Sequence, residues 1–268
     1  MGKKSKQKVN KPRILVYDIE TAPILGDVWS LWQQNVGLNQ IHKNGYIMSW
    51  CAKWLDEDAT YYMDCRENGE ADEKHIVQCL VDMLEEADIV VAHNGDNFDW
   101  KWVAGRALVY GMPPMAPSRK IDTLKVVKAN FRIPSNKLEF IAKFLGCTEK
   151  DDHKEFAGHK MWHECLKGNQ KAWQEMEDYN RQDVLTLEEV YLKLRPWIRN
   201  HPHVGVYNDV ELPSCPRCGS TDLNKRGYVY TNASRFTRLR CNGCGSWSRQ
   251  KGTVLSKGKR TSLVVNAL

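Results

Sequence analysis

The chain has 268 residues, of which 42% are hydrophobic and 27% are charged, a composition typical of water-soluble globular proteins. No apolar run approaches the roughly 18 residues of a membrane span, and the basic N-terminus is not followed by the apolar run of a signal peptide. A membrane protein and a secreted protein are therefore not expected, and the predicted location is the cytoplasm.

The net charge of +6 is unevenly distributed along the chain. Residues 214–268 contain eleven lysines and arginines and one aspartate, which gives this segment a charge of +10 and leaves the rest at −4. A basic segment attached to a mildly acidic body predicts a contact surface for nucleic acid, with a merely solubilising tail as the alternative.

Hydrophobic periodicity predicts strands first and then an alternation of strands and helices. A basic, disordered arm is expected at residues 1–12. Buried or alternating apolar runs predict strands at residues 14–17, 46–55, 60–63 and 89–92, with the second and third forming an antiparallel meander beside the first. A 3.6-residue period and stop signals predict helices at residues 73–87, 97–111, 122–131, 137–145 and 172–197. Residues 148–160 are predicted to form a loop.

This order of elements predicts a mixed α/β layered domain. The domain is expected to cover residues 13–200, followed by a linker at 201–213, a small cysteine-rich module at 214–252 and a basic tail at 253–268.

Two carboxylates lie at the end of the first predicted strand. Because side chains alternate along a strand, Asp18 and Glu20 lie on the same face. Neighbouring carboxylates repel each other unless a cation lies between them, and a hard divalent ion is the natural partner of oxygen ligands. The alternative is that Asp18 ends the strand and Glu20 is solvated.

A second motif lies where the strand at 89–92 leads into a helix. There Asn97 is expected to cap the helix, and Phe98 is expected to pack in the core, with a position beside a terminal base as its alternative. Asp99 lies in the first helical turn, where the helix dipole favours an anion. Asp96 competes with Asp99 for any metal role, and an ordinary polar turn is the alternative interpretation of the motif.

A third motif lies on the long helix predicted at 172–197. Tyr179 and Asp183 are four residues apart and therefore share a face, close to an apolar stripe. A carboxylate directed toward a core requires a cation or another partner. The alternative is a solvated aspartate at the edge of the stripe, with Tyr179 packed at the surface.

Together the three motifs resemble those of the DEDD, or DnaQ-like, superfamily of 3′–5′ exonucleases. D-x-E corresponds to Asp18 and Glu20, N-x-x-x-F-D ends at Asp99, and Y-x-x-x-D is the pattern of the tyrosine subclass. The match over residues 13–197 is most similar to the proofreading domain of family B DNA polymerases and to stand-alone phage and bacterial exonucleases.

The resemblance implies an RNase H-like mixed sheet flanked by helices and a two-metal phosphodiesterase mechanism. Two Mg²⁺ or Mn²⁺ ions would be held by four acidic residues, with a tyrosine orienting the attacking water. The implied catalytic residues are Asp18, Glu20, Asp99, Tyr179 and Asp183, all but the tyrosine being metal ligands. Asp122 is expected behind the ligands rather than among them, and Asn94 and Phe98 are assigned to nucleic-acid contact.

The implied substrate is nucleic acid, with DNA preferred and RNA as the alternative. A protein partner from replication or recombination is expected, and the location would be the host cytoplasm if the chain is phage-encoded. His153, His159 and His163 are interpreted as solvated loop residues rather than metal ligands.

Two C-x-x-C-G motifs occur in the C-terminal module. Four thiolates at this spacing predict a structural, tetrahedral Zn²⁺ site in a small zinc ribbon, with Cys215, Cys218, Cys241 and Cys244 as ligands. Arginines interleaved with aromatic residues in this module suit phosphate neutralisation and base stacking, and those assigned to nucleic-acid contact are Arg226, Arg235, Arg238 and Arg240. The alternative partner of the ribbon is a protein.

Two further functions compete with the exonuclease. One is another RNase H-like nuclease, such as a transposase or a junction resolvase, against which the Tyr179–Asp183 motif argues. The other is a non-catalytic nucleic-acid-binding protein, against which the complete set of acidic residues argues.

Overall fold

The computed structural model describes residues 11–148, 155–209 and 211–267, which belong to two compact units. The first unit is Arg13–Tyr191, and the second contains the chain from Leu192 onward. None of the helices in these residues combines the length and the hydropathy that crossing a membrane requires.

The strands of the described residues are numbered in chain order. They are β1 (Ile14–Thr21), β2 (Leu25–Gly26), β3 (Ile41–Lys43), β4 (Ile47–Trp54), β5 (Thr60–Asp64), β6 (Ile89–Ala92), β7 (Arg119–Asp122), β8 (Leu223–Thr231), β9 (Ser234–Cys241) and β10 (Trp247–Thr253). The α-helices are α1 (Glu73–Glu86), α2 (Asp99–Val109), α3 (Thr123–Asn130), α4 (Leu138–Phe144), α5 (Lys160–Leu166), α6 (Gln170–Leu194) and α7 (Lys257–Ser262).

Five strands of the first unit form a mixed sheet in the order β5-β4-β1-β6-β7. β1 pairs antiparallel with β4 and parallel with β6, β4 pairs antiparallel with β5, and β6 pairs parallel with β7. β1 is thus the central strand, and its apolar residues are almost completely buried. The predicted mixed sheet, with its antiparallel meander beside the first strand, is confirmed.

Helices cover both faces of this sheet, and the register shows which residues meet them. Trp50 of β4 lies opposite Ile19, and its indole Nε1 donates a hydrogen bond to the carbonyl oxygen of Ile76 in α1. Ser49 and Lys53 project from the other face of β4, where they contact Asn180 and Glu188 of α6. Because Glu20 pairs with Ser49, Glu20 and Asp18 lie on the face that α6 covers.

Three element predictions need correction. β7 was not predicted as a strand because Arg119 and Lys120 are exposed and leave little apolar signal at the edge of the sheet. α2 begins at Asp99 rather than at Asn97, and the residue before it, Phe98, makes no side-chain capping bond. α5 was not predicted, and it begins at Lys160, the last residue of the loop predicted at 148–160, of which residues 149–154 are outside the described part of the chain.

The second unit contains a three-stranded antiparallel sheet in the order β10-β9-β8. Two turns precede β8 and β10, and each carries one C-x-x-C-G motif. Gly219 and Gly245 end the two motifs with the same positive φ of 77°, a conformation that favours glycine. In both turns the N–H of the glycine donates to the carbonyl oxygen of the first cysteine. The short helix α7 follows the sheet.

Candidate active site and cysteine cluster

Three of the four predicted acidic ligands converge at the end of β1. Asp18 and Glu20 come from β1, and Asp183 comes from α6, yet one carboxylate oxygen from each lies within 4.8 Å of the other two. Asp183 is 9% exposed, whereas Asp18 and Glu20 are partly accessible. Such a group of oxygen donors fits a hard divalent cation, because three carboxylates at this separation repel one another strongly without one.

A buried amide that the sequence interpretation did not single out holds Asp18 in place. Asn180 is completely buried, and its Nδ2 donates a hydrogen bond of 2.8 Å to Oδ2 of Asp18. Its Oδ1 accepts a longer bond of 3.4 Å from the hydroxyl of Ser49. Asn180 precedes Asp183 by three residues, so that the two side chains share a helix face, and this spacing was the available signal.

Asp99 lies next to β1 but outside the group formed by the other three acids. Its Oδ1 accepts a 3.3 Å hydrogen bond from the backbone N–H of Ile19, the residue between Asp18 and Glu20. Asp99 is 1% exposed, and this burial raises its pKa from 3.8 to about 7 although backbone N–H groups oppose the shift. The charge of Asp122 raises the pKa further. Near neutral pH, Asp99 therefore takes up a proton more easily than an ordinary aspartate.

The Tyr179 side chain lies beside the acidic group. Burial first, and then the charges of Asp183 and Glu20, raise the pKa of its hydroxyl well above the ordinary value of 10. The edge of its ring also contacts Trp162 of α5, with the ring centroids 6.0 Å apart. At neutral pH the hydroxyl consequently keeps its proton and can donate a hydrogen bond but cannot act as a base.

Asp122 organises the turn that leads into α2. Its carboxylate accepts hydrogen bonds from the backbone N–H groups of Asn94 and Asp96, and from Leu124 and Lys125 at the start of α3. Asn94 adopts a positive φ of 66° in this turn. Asp122 is thus occupied by backbone donors and is not part of the acidic group found in the described residues. Asp96 forms ion pairs with lysines and is not part of the acidic group.

The positions of Phe98 and of the three histidines can be compared with the predictions made for them. Core packing of Phe98 is wrong, because its side chain is 37% exposed and contacts only the edge of the half-buried Trp102 ring among the described aromatic residues. His159 and His163 are exposed, and neither belongs to the acidic group or to the cysteine cluster of the described residues. His159 lies in the turn before α5, whereas His163 lies within that helix rather than in a loop. His153 lies outside the described residues.

The four clustered cysteines come together in the second unit. Their sulfur atoms all lie within 4.8 Å of one another, with 3.7 Å between Cys215 and Cys244 and 3.6 Å between Cys218 and Cys241. Tetrahedral coordination with Zn–S bonds of about 2.3 Å requires sulfur atoms about 3.8 Å apart, whereas a disulfide requires about 2.05 Å. The arrangement fits a four-thiolate metal site.

The basic residues assigned to nucleic-acid contact are distributed over β8 and β9. Arg238 and Arg240 are exposed, and both guanidinium groups lie over the ring of Trp247. Arg235 instead lies over the ring of Tyr228. Arg226 is exposed where the pairing of β8 with β9 shifts register.

The chain resembles known proteins in its fold. A family B DNA polymerase from the hyperthermophilic archaeon Pyrobaculum calidifontis has a similar structure, with a TM-score of 0.50 and 16% sequence identity over 69% of this chain. The matching part is 25% of the polymerase, so this chain spans about a quarter of its length. Comparison with curated protein sequences gives no match.

A family model described as RNase_H superfamily matches residues 36–195. These residues include α6 with Asp183 and the turn with Asp99, and they make up more than half of the chain. The mixed sheet with helices on both faces agrees with this match. The chain therefore belongs to the RNase_H superfamily.

Proposed function

We propose that the protein is a metal-dependent 3′–5′ exonuclease that hydrolyses phosphodiester bonds of nucleic acid, with DNA as the preferred substrate. The observation that carries the proposal is the convergence of Asp18, Glu20 and Asp183 from distant parts of the sequence. Membership of the RNase_H superfamily and the resemblance of the motifs to the tyrosine subclass of exonucleases support it.

The residues that would hold two Mg²⁺ or Mn²⁺ ions are Asp18, Glu20, Asp183 and Asp99. The ions would supply positive charge that offsets the repulsion between these carboxylates and a phosphodiester, and would lower the pKa of a bound water. The raised pKa of Asp99 means that its carboxyl group must lose a proton to act as a ligand.

Tyr179 has the role of orienting the attacking water. Its hydroxyl stays protonated, since burial and the neighbouring carboxylates raise its pKa, and it therefore contributes a fixed hydrogen bond rather than removing a proton. Asn180 keeps Asp18 in one orientation, and Asp122 fixes the turn that bears Asn94 and Phe98. The exposed Phe98 ring is suited to contact a terminal base.

The four cysteines would hold one Zn²⁺ ion that stabilises the second unit. A segment of this size buries little apolar surface, and a metal supplies folding free energy in such modules. The ribbon would assist the nuclease by binding nucleic acid through its basic residues, with a protein ligand as the alternative.

The test measures degradation of end-labelled DNA and RNA, each single- and double-stranded, in the presence of Mg²⁺ or Mn²⁺. The wild type is compared with the double variant Asp18→Ala plus Glu20→Ala and with Asp96→Asn. The last variant is a matched control, because Asp96 is a nearby aspartate that pairs with Lys125 outside the acidic group. We expect stepwise shortening from the 3′ end by the wild type and the control only.

Circular single-stranded DNA separates the competing nuclease classes. An exonuclease leaves it intact, whereas a transposase-like or resolvase-like nuclease cuts without a free end. Equal degradation of the linear substrates by the wild type and the double variant would place the hydrolytic site elsewhere. Binding without any degradation in either metal would favour a non-catalytic protein.

A further inference from the structure

The strand register separates the basic side chains of the three-stranded sheet into two faces. Arg240 pairs with Trp247, and Arg238 pairs with Arg249, so these four residues project from the same face. Phe236 precedes Arg238 by two residues and joins them. We call Phe236, Arg238, Arg240, Trp247 and Arg249 the arginine face.

The opposite face of the sheet exposes less arginine side chain. Leu239, which lies between Arg238 and Arg240, is 6% exposed and pairs with Lys225 of β8 and Ser248 of β10. Arg235 is also on this side, where it pairs with Tyr230. On the face with Leu239, Arg235 is half-buried and lies over the Tyr228 ring, whereas Arg238, Arg240, Arg249 and Trp247 of the arginine face are all exposed.

The guanidinium groups of the arginine face lie on its aromatic rings. The central carbon of Arg238 is 4.9 Å from the centre of the Trp247 ring, and that of Arg240 is 5.9 Å from it. Arg249 lies 3.9 Å from the centre of the Phe236 ring. Nε of Arg238 also donates a 2.8 Å hydrogen bond to the carbonyl oxygen of Arg226.

Such stacking orders the arginine side chains and leaves some of their N–H groups available as hydrogen-bond donors. The N–H groups of a guanidinium lie in its plane, so an arginine that stacks on a ring still directs donors sideways to a phosphate. Its outer surface and the uncovered parts of the ring are flat and apolar. Ordering the side chains in advance lowers the entropy lost when a ligand binds.

We propose that the arginine face binds a single-stranded polynucleotide by neutralising its phosphates and stacking against its bases. The inference deepens the proposed nuclease function, on which it rests, by naming the surface of the second unit that binds the substrate strand. A charge of +10 over residues 214–268 favours a polyanion.

The flatness of the surface favours an unpaired strand. Bases of a single strand expose faces that stack on aromatic rings and guanidinium planes, whereas those faces are hidden inside a duplex. The 48% exposure of Trp247 leaves ring surface for such a contact. An acidic protein segment would satisfy the charges but would make no use of the stacked rings.

The experiment measures binding of fluorescent oligonucleotides to the full chain by anisotropy. Every protein carries Asp18→Ala and Glu20→Ala so that substrate is not degraded. In this background, Arg238→Ala plus Arg240→Ala is compared with Lys225→Ala plus Lys257→Ala, which removes the same charge from two exposed positions outside the arginine face. Trp247→Ala tests stacking separately. The probes are oligothymidylate, oligouridylate, a DNA duplex of the same length, and polyglutamate.

For the arginine-face pair we expect the dissociation constant for oligothymidylate to rise about tenfold or more, with less than about a threefold rise for the lysine control pair. The slope of log affinity against log salt should fall in magnitude by about 1.4 for the first pair, because two phosphate contacts are lost. Trp247→Ala should weaken binding about fivefold or more without changing this slope. Oligouridylate binding as tight as oligothymidylate binding would extend the assignment to RNA.

Four results would overturn the assignment. The first is unchanged oligothymidylate binding by the arginine-face pair, and the second is an equal loss of that binding by both pairs. The third is duplex binding as tight as, or tighter than, oligothymidylate binding by the parent protein. The fourth is an arginine-face pair that loses polyglutamate binding but keeps oligothymidylate binding. Zinc content of one ion per chain and an unchanged circular dichroism spectrum verify that each variant is folded. A failure here leaves the nuclease proposal intact if the wild type still degrades DNA and the Asp18, Glu20 double variant does not.

Discussion

At the scale of single residues, the acidic group depends on a neighbour that carries no charge. Asn180 is the fully buried donor to Asp18, and substitution by alanine leaves that carboxylate without its 2.8 Å bond. For Asn180→Ala we expect hydrolysis to fall about 10- to 100-fold, which is typical when a residue that orients a metal ligand is lost. The measurement is single-turnover hydrolysis across a Mg²⁺ titration.

The matched control for Asn180 is Gln182→Ala on the same helix. Gln182 is half-buried, and its amide bonds to Thr186 rather than to an acidic residue of the group. If Asn180→Ala reduced hydrolysis no more than Gln182→Ala did, the orienting role of Asn180 would be wrong. A raised Mg²⁺ requirement in Asn180→Ala alone would identify that role as metal binding.

Asp99 gives a prediction about pH. Its pKa is raised from 3.8 to about 7 in the folded, metal-free protein, so its contribution to stability is complete below pH 4 and is lost as pH rises through 7. The Asp99→Asn variant has no carboxyl group at this position and therefore does not lose this stability as the pH rises. In Mg²⁺-free buffer at pH 8, we expect the variant to be more stable than the wild type by roughly 2–4 kcal/mol, with the difference vanishing near pH 4.

Urea unfolding at pH 4 and pH 8 measures the effect of Asp99→Asn. Asp96→Asn is the control, because Asp96 is half-buried and paired with Lys125. A stability difference for Asp99→Asn that does not change with pH would contradict the prediction. The variant should also lose hydrolytic activity, since an amide is a poorer ligand for Mg²⁺ than a carboxylate.

At the scale of elements, a buried cluster joins α1, α2 and β4. Glu73 is completely buried and accepts hydrogen bonds from the backbone N–H of Ile47 at 2.8 Å, from Nε of Arg106 at 2.7 Å, and from the Tyr110 hydroxyl. Glu73→Ala leaves Arg106 without its carboxylate partner. We therefore expect the free energy of unfolding to fall by about 3–5 kcal/mol.

The exposed pair between Arg13 and Glu86 provides the comparison for Glu73. Both side chains are about half exposed, and Glu86→Ala should cost less than about 1 kcal/mol. Urea unfolding of both variants at pH 7 measures the difference. Similar losses for Glu73→Ala and Glu86→Ala would show that the buried cluster does not stabilise the contact of the two helices with the sheet.

Elements with a strong hydrophobic period were predictable from sequence, whereas weakly patterned ones were not. The buried apolar run predicted both ends of β6 correctly. The predicted end of α1 is wrong by one residue only, because the apolar period of this helix is regular. β7 pairs only with β6 and has two exposed basic residues, so neither periodicity nor hydrophobicity marked it. The start of α2 was misplaced because Asn97, a good capping residue by type, is exposed and does not cap.

The same contrast applies to the candidate site. Alternation along β1 correctly predicts that Asp18 and Glu20 share a face, and the helical period places Asp183 toward the sheet. Sequence does not show which neutral side chain bonds to a carboxylate from another element, and Asn180 was therefore missed. The exposure of Phe98 depends on the tertiary arrangement of the turn that Asp122 organises.

At the scale of the whole molecule, the two compact units have separate origins of stability. The first unit has an extensive apolar core around β1, whereas the second has few buried apolar residues around its cysteine cluster. We expect one zinc ion per chain. Cys218→Ser should lose the zinc and the hydrogen-exchange protection of β8, β9 and β10, with protection of β1, β4 and β6 unchanged.

Metal analysis and hydrogen exchange measure both parts of this prediction. Cys79→Ser is the control, since Cys79 is a half-buried thiol of α1 outside the cluster. Retention of zinc and of ribbon protection in Cys218→Ser would refute the structural role of the four thiolates. A loss of protection throughout β1 would mean that the first unit does not fold independently of the metal.

The position of Asp183 has a consequence for biosynthesis. Asp18 leaves the ribosome before Asp183, because the carboxylate of Asp183 that completes the acidic group lies 165 positions further along the chain. A nascent polypeptide that has emerged only as far as α5 lacks both Asp183 and Tyr179. If the proposed chemistry is correct, partly translated copies are harmless to nucleic acid, and cleavage competence appears only after α6 has been synthesised and has docked.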